Sequence, residues 1–417
     1  DNVWANGVDG SRCEARFLST RQKHWDIMLW NFTRVGSMSD ETHPWFAKPV
    51  EMLKQEAAIL LSFGGAVQLY ENPATSGAAL RSGQLIPWRQ NRMSDVGRFV
   101  KARRSLCQDS ETIPQIAVLH SEHHLHTTTR GKNMMWSVDL DPVRGAVFAL
   151  LEKHYGVDVL DEWALLQRLD EFPVVVVPER EGLSEEMVAA LKSYVDGGGH
   201  LLVSGSESFT TFGGKFLGVA KGKQKEKAIY HIGSGKEAAP FYSEAWRLCK
   251  PTSAKIMSSL CETDILEEYQ TRFPAATMNK VGKGRVVYLP GGLFRAYQRD
   301  RNPLQREVLG EIVAKLAPPF GVVVDAPSCV DVALRRKKER RIIHFVNRGT
   351  GLPNAAGSVA VDEIAPVGPI TVRIKRKAKP ASVTLAFEDA SVKTVFSKGL
   401  LTVTIDTVHI HSALVIE

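Results

Sequence analysis

The stretch Trp25-Asp26-Ile27-Met28-Leu29-Trp30-Asn31-Phe32-Thr33 is apolar enough for a buried strand, yet its outgoing end carries Trp, Asn and Thr. An indole offers a flat apolar face, and a carboxamide offers both a donor and an acceptor. Trp30 and Asn31 therefore suit contact with a sugar ring, with a packed interior Trp as the competing role. Gln68 and Tyr70 end the short run Ala66-Val67-Gln68-Leu69-Tyr70 in the same way. His120-Ser121-Glu122-His123-His124-Leu125-His126 gathers donors suited to Zn²⁺ or Ni²⁺. The cluster reads as a loop at the outgoing end of an apolar strand, where α/β domains bind ligands. It lacks the rigid, defined spacing of ordered sites, so no metal is expected and a polar surface or interface loop is the reading. Ser206, in Ser204-Gly205-Ser206-Glu207-Ser208, lacks the flanking glycines of a nucleophile elbow. Cys13, Cys107, Cys249, Cys261 and Cys329 show neither disulfide-scaffold nor metal-ligand spacing and read as buried or free thiols.

The elements that position these residues follow from periodicity. A chain of 417 residues suggests two or three domains. An apolar share of 44% and a charged share of 24% are those of a soluble globular protein, and no long apolar run predicts a membrane span. No signal segment is visible, which leaves the compartment open. Residues 1–110 read as two strand–helix units: a strand at Trp25–Phe32, an apolar helix at Val50–Leu61 stopped by Gly64-Gly65, a strand at Ala66–Tyr70, and a basic helix from about Asp95 to Leu106. Residues 111–319 alternate buried strands with helices, among them Gln115–Leu119, Val157–Leu160, Pro173–Pro178, His200–Ser204 and Gly284–Leu289. That alternation implies a parallel sheet covered on both faces. Residues 207–280 are less regular and read as an insertion or divergent crossover. Residues 320–417 switch to period two and predict a small antiparallel β-sandwich. The net charge of +7 is concentrated in Arg335–Arg341 and Lys375–Lys379, beside predicted strands. Such runs decorate solvated hairpin turns, and no base-stacking motif accompanies them, so no nucleic-acid partner is expected.

Four ordered blocks, Ser11–Leu18, Trp25–Phe32, Lys48–Ala58 and Gly64–Tyr70, resemble the end of the (β/α)₈ barrel in the α-L-fucosidase-like group of hypothetical glycosyl hydrolases. Residues 114–318 resemble the class I amidotransferase-like, flavodoxin-like domain that follows the barrel there and in β-galactosidases with a trimerisation domain. The resemblance implies an α/β chain: the C-terminal part of a barrel, an amidotransferase-like domain and a β-sandwich. It implies hydrolysis of an O-glycosidic bond of a carbohydrate by two carboxylates, without a cofactor. The nucleophile is expected upstream of Asp1, which would leave this chain inert by itself. Glu14, in a matched block placed at a βα loop, is the best remaining catalytic or sugar-binding carboxylate, against a structural ion pair. Arg16 would orient it or lower its pKa, and would bind substrate with Trp30, Asn31, Gln68 and Tyr70. Asp26 lies at the strand's incoming end, away from the mouth. The turn after Leu201-Leu202-Val203 has no Cys, so amide hydrolysis through a thioester is not expected of the middle domain. Its expected job is packing and homo-oligomerisation. The alternative is a non-catalytic carbohydrate-binding or assembly protein, and hydrolysis through Ser206 ranks last.

Overall fold

The computed structural model describes residues 8–21, 24–34, 45–71, 86–128, 139–180, 182–349, 353–355, 358–359 and 361–417. The chain divides into two compact units, one of Asp1–Ile113 with Gly321–Glu417 and one of Pro114–Phe320. No helix among the described residues is long and apolar enough to cross a membrane.

The first unit opens with α1 (Asp9–Leu18), β1 (Asp26–Trp30), β2 (Phe32–Arg34), β3 (Trp45–Ala47), α2 (Val50–Ser62), β4 (Ala66–Tyr70) and α3 (Pro87–Cys107). β1 and β4 pair in parallel, from Asp26↔Ala66 to Trp30↔Tyr70, as a two-stranded sheet crossed by α2. α2 is buried on almost every side, which suits its apolar composition. Its Leu53, Ala57 and Leu60 pack with Ile27 and Leu29 and with Ala333 and Val346 from the chain's other end. α3 begins at Pro87, well before the expected Asp95. Proline fits the first turn of a helix because its missing N–H would have no partner there.

β5 (Glu111–Thr112) is the edge strand of a five-stranded antiparallel sheet in the terminal part of the chain, outside the middle unit to which sequence reading assigned it. That sheet also holds β16 (Val330–Lys337), β17 (Arg340–Asn347), β21 (Val383–Ala386) and β24 (His411–Ile416). A four-stranded antiparallel sheet joins β15 (Val322–Asp325), β20 (Ile370–Lys375), β22 (Val392–Ser397) and β23 (Leu400–Ile405). The two sheets share a core of Val332, Ile343, Phe345, Val372, Ile374, Val403 and Leu414. The short strands β18 (Pro353–Ala355) and β19 (Ser358–Val359) form a separate ribbon. β17 and β24 are buried on both faces, since Val346 faces the α2 core while Phe345 faces the sandwich.

The basic run at Arg335–Arg341 does lie at a hairpin, yet it is only partly solvated. Arg335 is buried and donates to the carbonyls of Ser110 and Phe63. Lys337 Nζ donates to the carbonyls of Ser105 and Gln108 at 2.8 and 2.7 Å. These cations close the C-terminal end of α3, where unpaired carbonyls concentrate negative charge.

The second unit contains β6 (Ile116–Leu119), α4 (Glu122–Thr128), α5 (Asp141–Leu151), β7 (Val157–Leu160), α6 (Glu162–Leu166), β8 (Val174–Val177), α7 (Glu185–Gly197), β9 (His200–Ser204), α8 (Ser208–Phe212) and α9 (Gly214–Leu217). After these come β10 (Val219–Ser234), β11 (Glu237–Pro251), β12 (Lys255–Cys261), β13 (Gln270–Val281), β14 (Gly284–Leu289), α10 (Leu293–Asp300) and α11 (Pro303–Leu316). The parallel part of the sheet runs β7-β6-β8-β9-β14, the flavodoxin-like order. Every position of β6, β7 and β8 is buried, as continuous apolar strands require.

The stretch 207–280 is inserted between the paired parallel strands β9 and β14, and is more regular than its sequence suggests. It is mostly β10 to β13, which extend the sheet antiparallel beyond β14. The Lys- and Glu-rich centre of β10 hides its alternation, because both faces there are largely exposed. A register shift between Ala220 and Lys223 fits Gly222, where a Cβ would sit 1.7 Å from the Leu248 carbonyl oxygen.

Candidate functional site

Alternation divides β1 and β4 between two faces. Ile27, Leu29, Val67 and Leu69 face the α2 core. Asp26, Met28 and Trp30 of β1 and Ala66, Gln68 and Tyr70 of β4 share the other face, which is exposed or half-buried. Because the pairing is in register, Trp30 and Tyr70 meet at the outgoing edge, with ring centroids 5.6 Å apart. Phe32 joins them, 4.9 Å from Trp30 and 5.6 Å from Tyr70.

A polar set stands beside these rings. The Asn31 backbone N–H donates to the Tyr70 carbonyl at 3.0 Å, and the Asn31 carbonyl accepts from Lys48 N at 2.8 Å. Its side-chain amide donates to Glu71, whose other oxygen accepts from Arg89 at 2.8 Å. Trp30 Nε1 and Asn31 Oδ1 are buried with no hydrogen-bond partner among the described residues. A buried donor and acceptor left over at the end of two parallel strands fit a hydroxylated ligand. Sequence reasoning did not single out Glu71 or Arg89. The signal for Glu71 was its place directly after the strand end at Tyr70.

The structure joins Trp30, Asn31 and Tyr70, with Gln68 on the same face, and places Asp26 at the opposite end of β1. Glu14 lies in the middle of α1, half-buried, and its expected loop position is thereby corrected. Arg16 is fully buried and reaches Asp331 of β16 at 2.5 Å, while Arg12 reaches the other Asp331 oxygen at 2.8 Å. Burial alone would raise the Asp331 pKa, yet Arg16 and Arg12 hold it at about 2. Arg16 thus fastens α1 to the terminal sheet, and the sugar contact expected of it is replaced by this ion pair.

In the middle unit the histidine cluster is another correction. Glu122–Thr128 is helical, started by Ser121, whose Oγ accepts from His124 N at 3.0 Å. Ser206 is buried, and its carbonyl accepts from Arg247 and Tyr288. Glu179, which sequence reasoning missed, follows β8 with φ of 48°. Its carboxylate accepts from the backbone N–H of Phe294 and Arg295 at 2.8 and 3.1 Å, at the start of α10. Burial pushes its pKa up to about 7, with Arg295 opposing. An acidic residue one position beyond Pro178, which ends the run of four valines, was the available signal.

The chain was compared with known proteins at the level of sequence and fold. No protein-family model and no curated protein matches it. Among solved structures, the α-L-fucosidase isoenzyme 2 of Paenibacillus thiaminolyticus superposes with a TM-score of 0.78 at 16% identity, covering 100% of this chain and 64% of that one. The β-galactosidase of Rahnella sp. R3 gives 0.65 at 13% identity, over 100% and 59%. That of Bacillus circulans sp. alkalophilus gives 0.60 at 12%, over 98% and 58%. The chain has a glycoside hydrolase-like fold. It spans less than two thirds of the length of these three structures.

The first unit also holds a buried polar network that the sequence concealed. Cys107 at the end of α3, His344 of β17 and His411 of β24 bring donor atoms within 4.8 Å of one another. His344 Nδ1 lies 3.1 Å from His411 Nε2, and Arg103 Nε donates to His411 Nδ1 at 3.2 Å. With Nδ1 accepting, His411 carries its proton on Nε2 and donates it to His344. A metal on Nε2 would require a proton on Nδ1, donor against donor at Arg103. The network is therefore a hydrogen-bonded chain that does not suit a cation. Burial, then Arg335, lowers the His344 pKa to about 3, and burial, then His344 and Arg103, holds His411 well below its ordinary value. Burial pushes the Cys107 thiol up to about 12, which keeps it protonated and unreactive.

Proposed function

We propose that this chain is the C-terminal part of an α-L-fucosidase-related glycoside hydrolase, and that β1 and β4 line part of its sugar-binding mouth. The observation that carries the reading is the aromatic and amide cluster of Trp30, Tyr70, Asn31 and Phe32, set with Glu71 at the outgoing ends of two parallel strands. Outgoing strand ends are where barrel enzymes place their ligands. The exposed face bearing Gln68 and Tyr70 would be the inner face of a closed barrel. Likeness of fold to a fucosidase and to β-galactosidases supports the assignment.

The reaction would be hydrolysis of an O-glycosidic bond by two carboxylates. The nucleophile belongs to a barrel strand other than β1 and β4. Trp30 and Tyr70 would stack on the sugar, and Asn31, held by Glu71, would bond its hydroxyls. Glu14 remains the candidate carboxylate of the helical segment before β1. Homo-oligomerisation through the middle unit is part of the same reading, and light scattering of the full-length gene product tests it.

The central test is hydrolysis of aryl α-L-fucosides and aryl β-D-galactosides by the full-length gene product. Activity is expected, with KM raised by Trp30→Ala and by Tyr70→Ala. Absence of activity on every aryl glycoside would end the proposal. An unchanged rate in Glu14→Gln would remove Glu14 from it.

A further inference from the structure

The middle unit carries a cleft that the proposal above does not use. It has a volume of about 670 Å³ and lies where β6 and β7 run out into α4 and α6. That is a common size for a small-molecule site, and it lies beyond the outgoing ends of two parallel strands. We propose that this cleft binds a neutral sugar ring, with Trp163 as its stacking platform.

Trp163 lines the cleft and, at 64%, is the most exposed large apolar side chain among the described residues. The helix geometry of α6 explains it. Asp161 caps the helix by accepting from Ala164 N at 2.9 Å, and Leu165 turns into the core, so Trp163 turns outward. The walls are fixed in advance. The Glu162 carboxylate accepts from Ser121 Oγ and, at 2.9 Å, from Glu122 N, which ties the start of α4 to α6. α4 presents His123 and His126, three residues apart on one side, and both line the cleft. The first turn of α7 supplies the exposed Glu186, and Leu166 adds apolar surface.

The chemistry of this lining selects the ligand class. Among the described residues its lining holds no Lys or Arg, and its three glutamates disfavour a phosphate or another anion. The Glu162 oxygens are already engaged, so the acidic character available to a cation is reduced. What faces the cleft, beside the engaged Glu162, is an aromatic plane, two imidazoles that each donate and accept, and the carboxylate acceptors of Glu122 and Glu186. An apolar ring face ringed by hydroxyls matches that set.

The test is titration of the full chain with methyl β-D-galactopyranoside and methyl α-L-fucopyranoside, by calorimetry and ligand-observed NMR. Saturable binding of at least one is expected. Trp163→Ala should weaken it at least about tenfold and Glu186→Gln by a smaller factor, while Trp163→Phe retains most of it. The Trp163-dependent binding should persist in Trp30→Ala, which separates the cleft from the β1/β4 mouth. Far-UV circular dichroism of each variant should match the parent. The proposal is overturned if neither glycoside binds, if Trp163→Ala binds as well as the parent, or if only Trp30→Ala loses binding. Displacement of the sugar by choline would overturn it too, by assigning the cleft to cations. Failure here leaves the hydrolysis assay of the full-length gene product untouched, and the reverse also holds.

Discussion

The chain contains two parallel α/β regions that differ in what they leave uncovered. In the middle unit, strands β6, β7 and β8 are buried at every position, with Leu165, Met187 and Leu191 packed on one face and α5 against the other side of β6 and β7. In the first unit, β1 and β4 cover one face with α2 and leave the other bearing Gln68, Tyr70 and part of Trp30. The first arrangement is a finished core. The second is half a core with a chemical face, and the residues on that face are the ones suited to a ligand. Uniformly apolar strands mark structure, and alternating ones that end in Trp, Asn, Gln and Tyr mark a site.

The largest effect should come from what anchors the half-covered region. Asp331→Ala leaves Arg16 and Arg12 buried without their carboxylate. Loss of roughly 3–5 kcal/mol is expected in urea denaturation. A small change would mean that α1 does not depend on β16. Next, Leu202→Ala in the covered sheet should cost roughly 2–5 kcal/mol, whereas Leu69→Ala in the half-covered sheet should cost about 1 kcal/mol. Equal costs would erase the contrast between the two regions.

The pH response sharpens the same contrast within the first unit. His344 has a folded pKa of about 3, below the ordinary 6.5, so the unfolded chain binds more protons between these values. Its contribution is therefore complete above pH 6.5 and is lost progressively as the pH falls towards 3. At pH 5 the loss is about 2 kcal/mol from His344 alone, and His344→Gln should flatten the profile measured by denaturation at each pH. The smallest effect concerns the open face. Trp30→Ala and Tyr70→Ala should alter stability by about 0.5 kcal/mol or less while raising KM in the full-length gene product. A large stability loss would recast these rings as core.

Much of this was legible beforehand, for stated reasons. Val174–Val177 and Ile116–Leu119 read as buried strands because nothing polar interrupts them. Trp30, Asn31 and Tyr70 stood out because their types conflict with the apolar runs that they end. Arg16 misled because its partner lies 315 residues away at Asp331, and no local pattern signals such a bond. β10 escaped because its centre, exposed on both faces, lacks the alternation that one-sided burial writes into a sequence. Glu179 was overlooked because its role arises from the backbone N–H groups of Phe294 and Arg295, more than a hundred residues later.

The sequence by itself determined the places of β1, α2, β4 and the parallel strands β6, β7, β8, β9 and β14, and which face of β1 and β4 is apolar, because periodicity and side-chain type act over a few residues. Only the tertiary structure decided that residues 9–18 are fastened to Asp331, that Cys107 meets His344 and His411, and that Trp163 stands at the rim of a cleft. Those outcomes depend on which distant surfaces are buried together, and burial across long stretches of chain leaves no local trace.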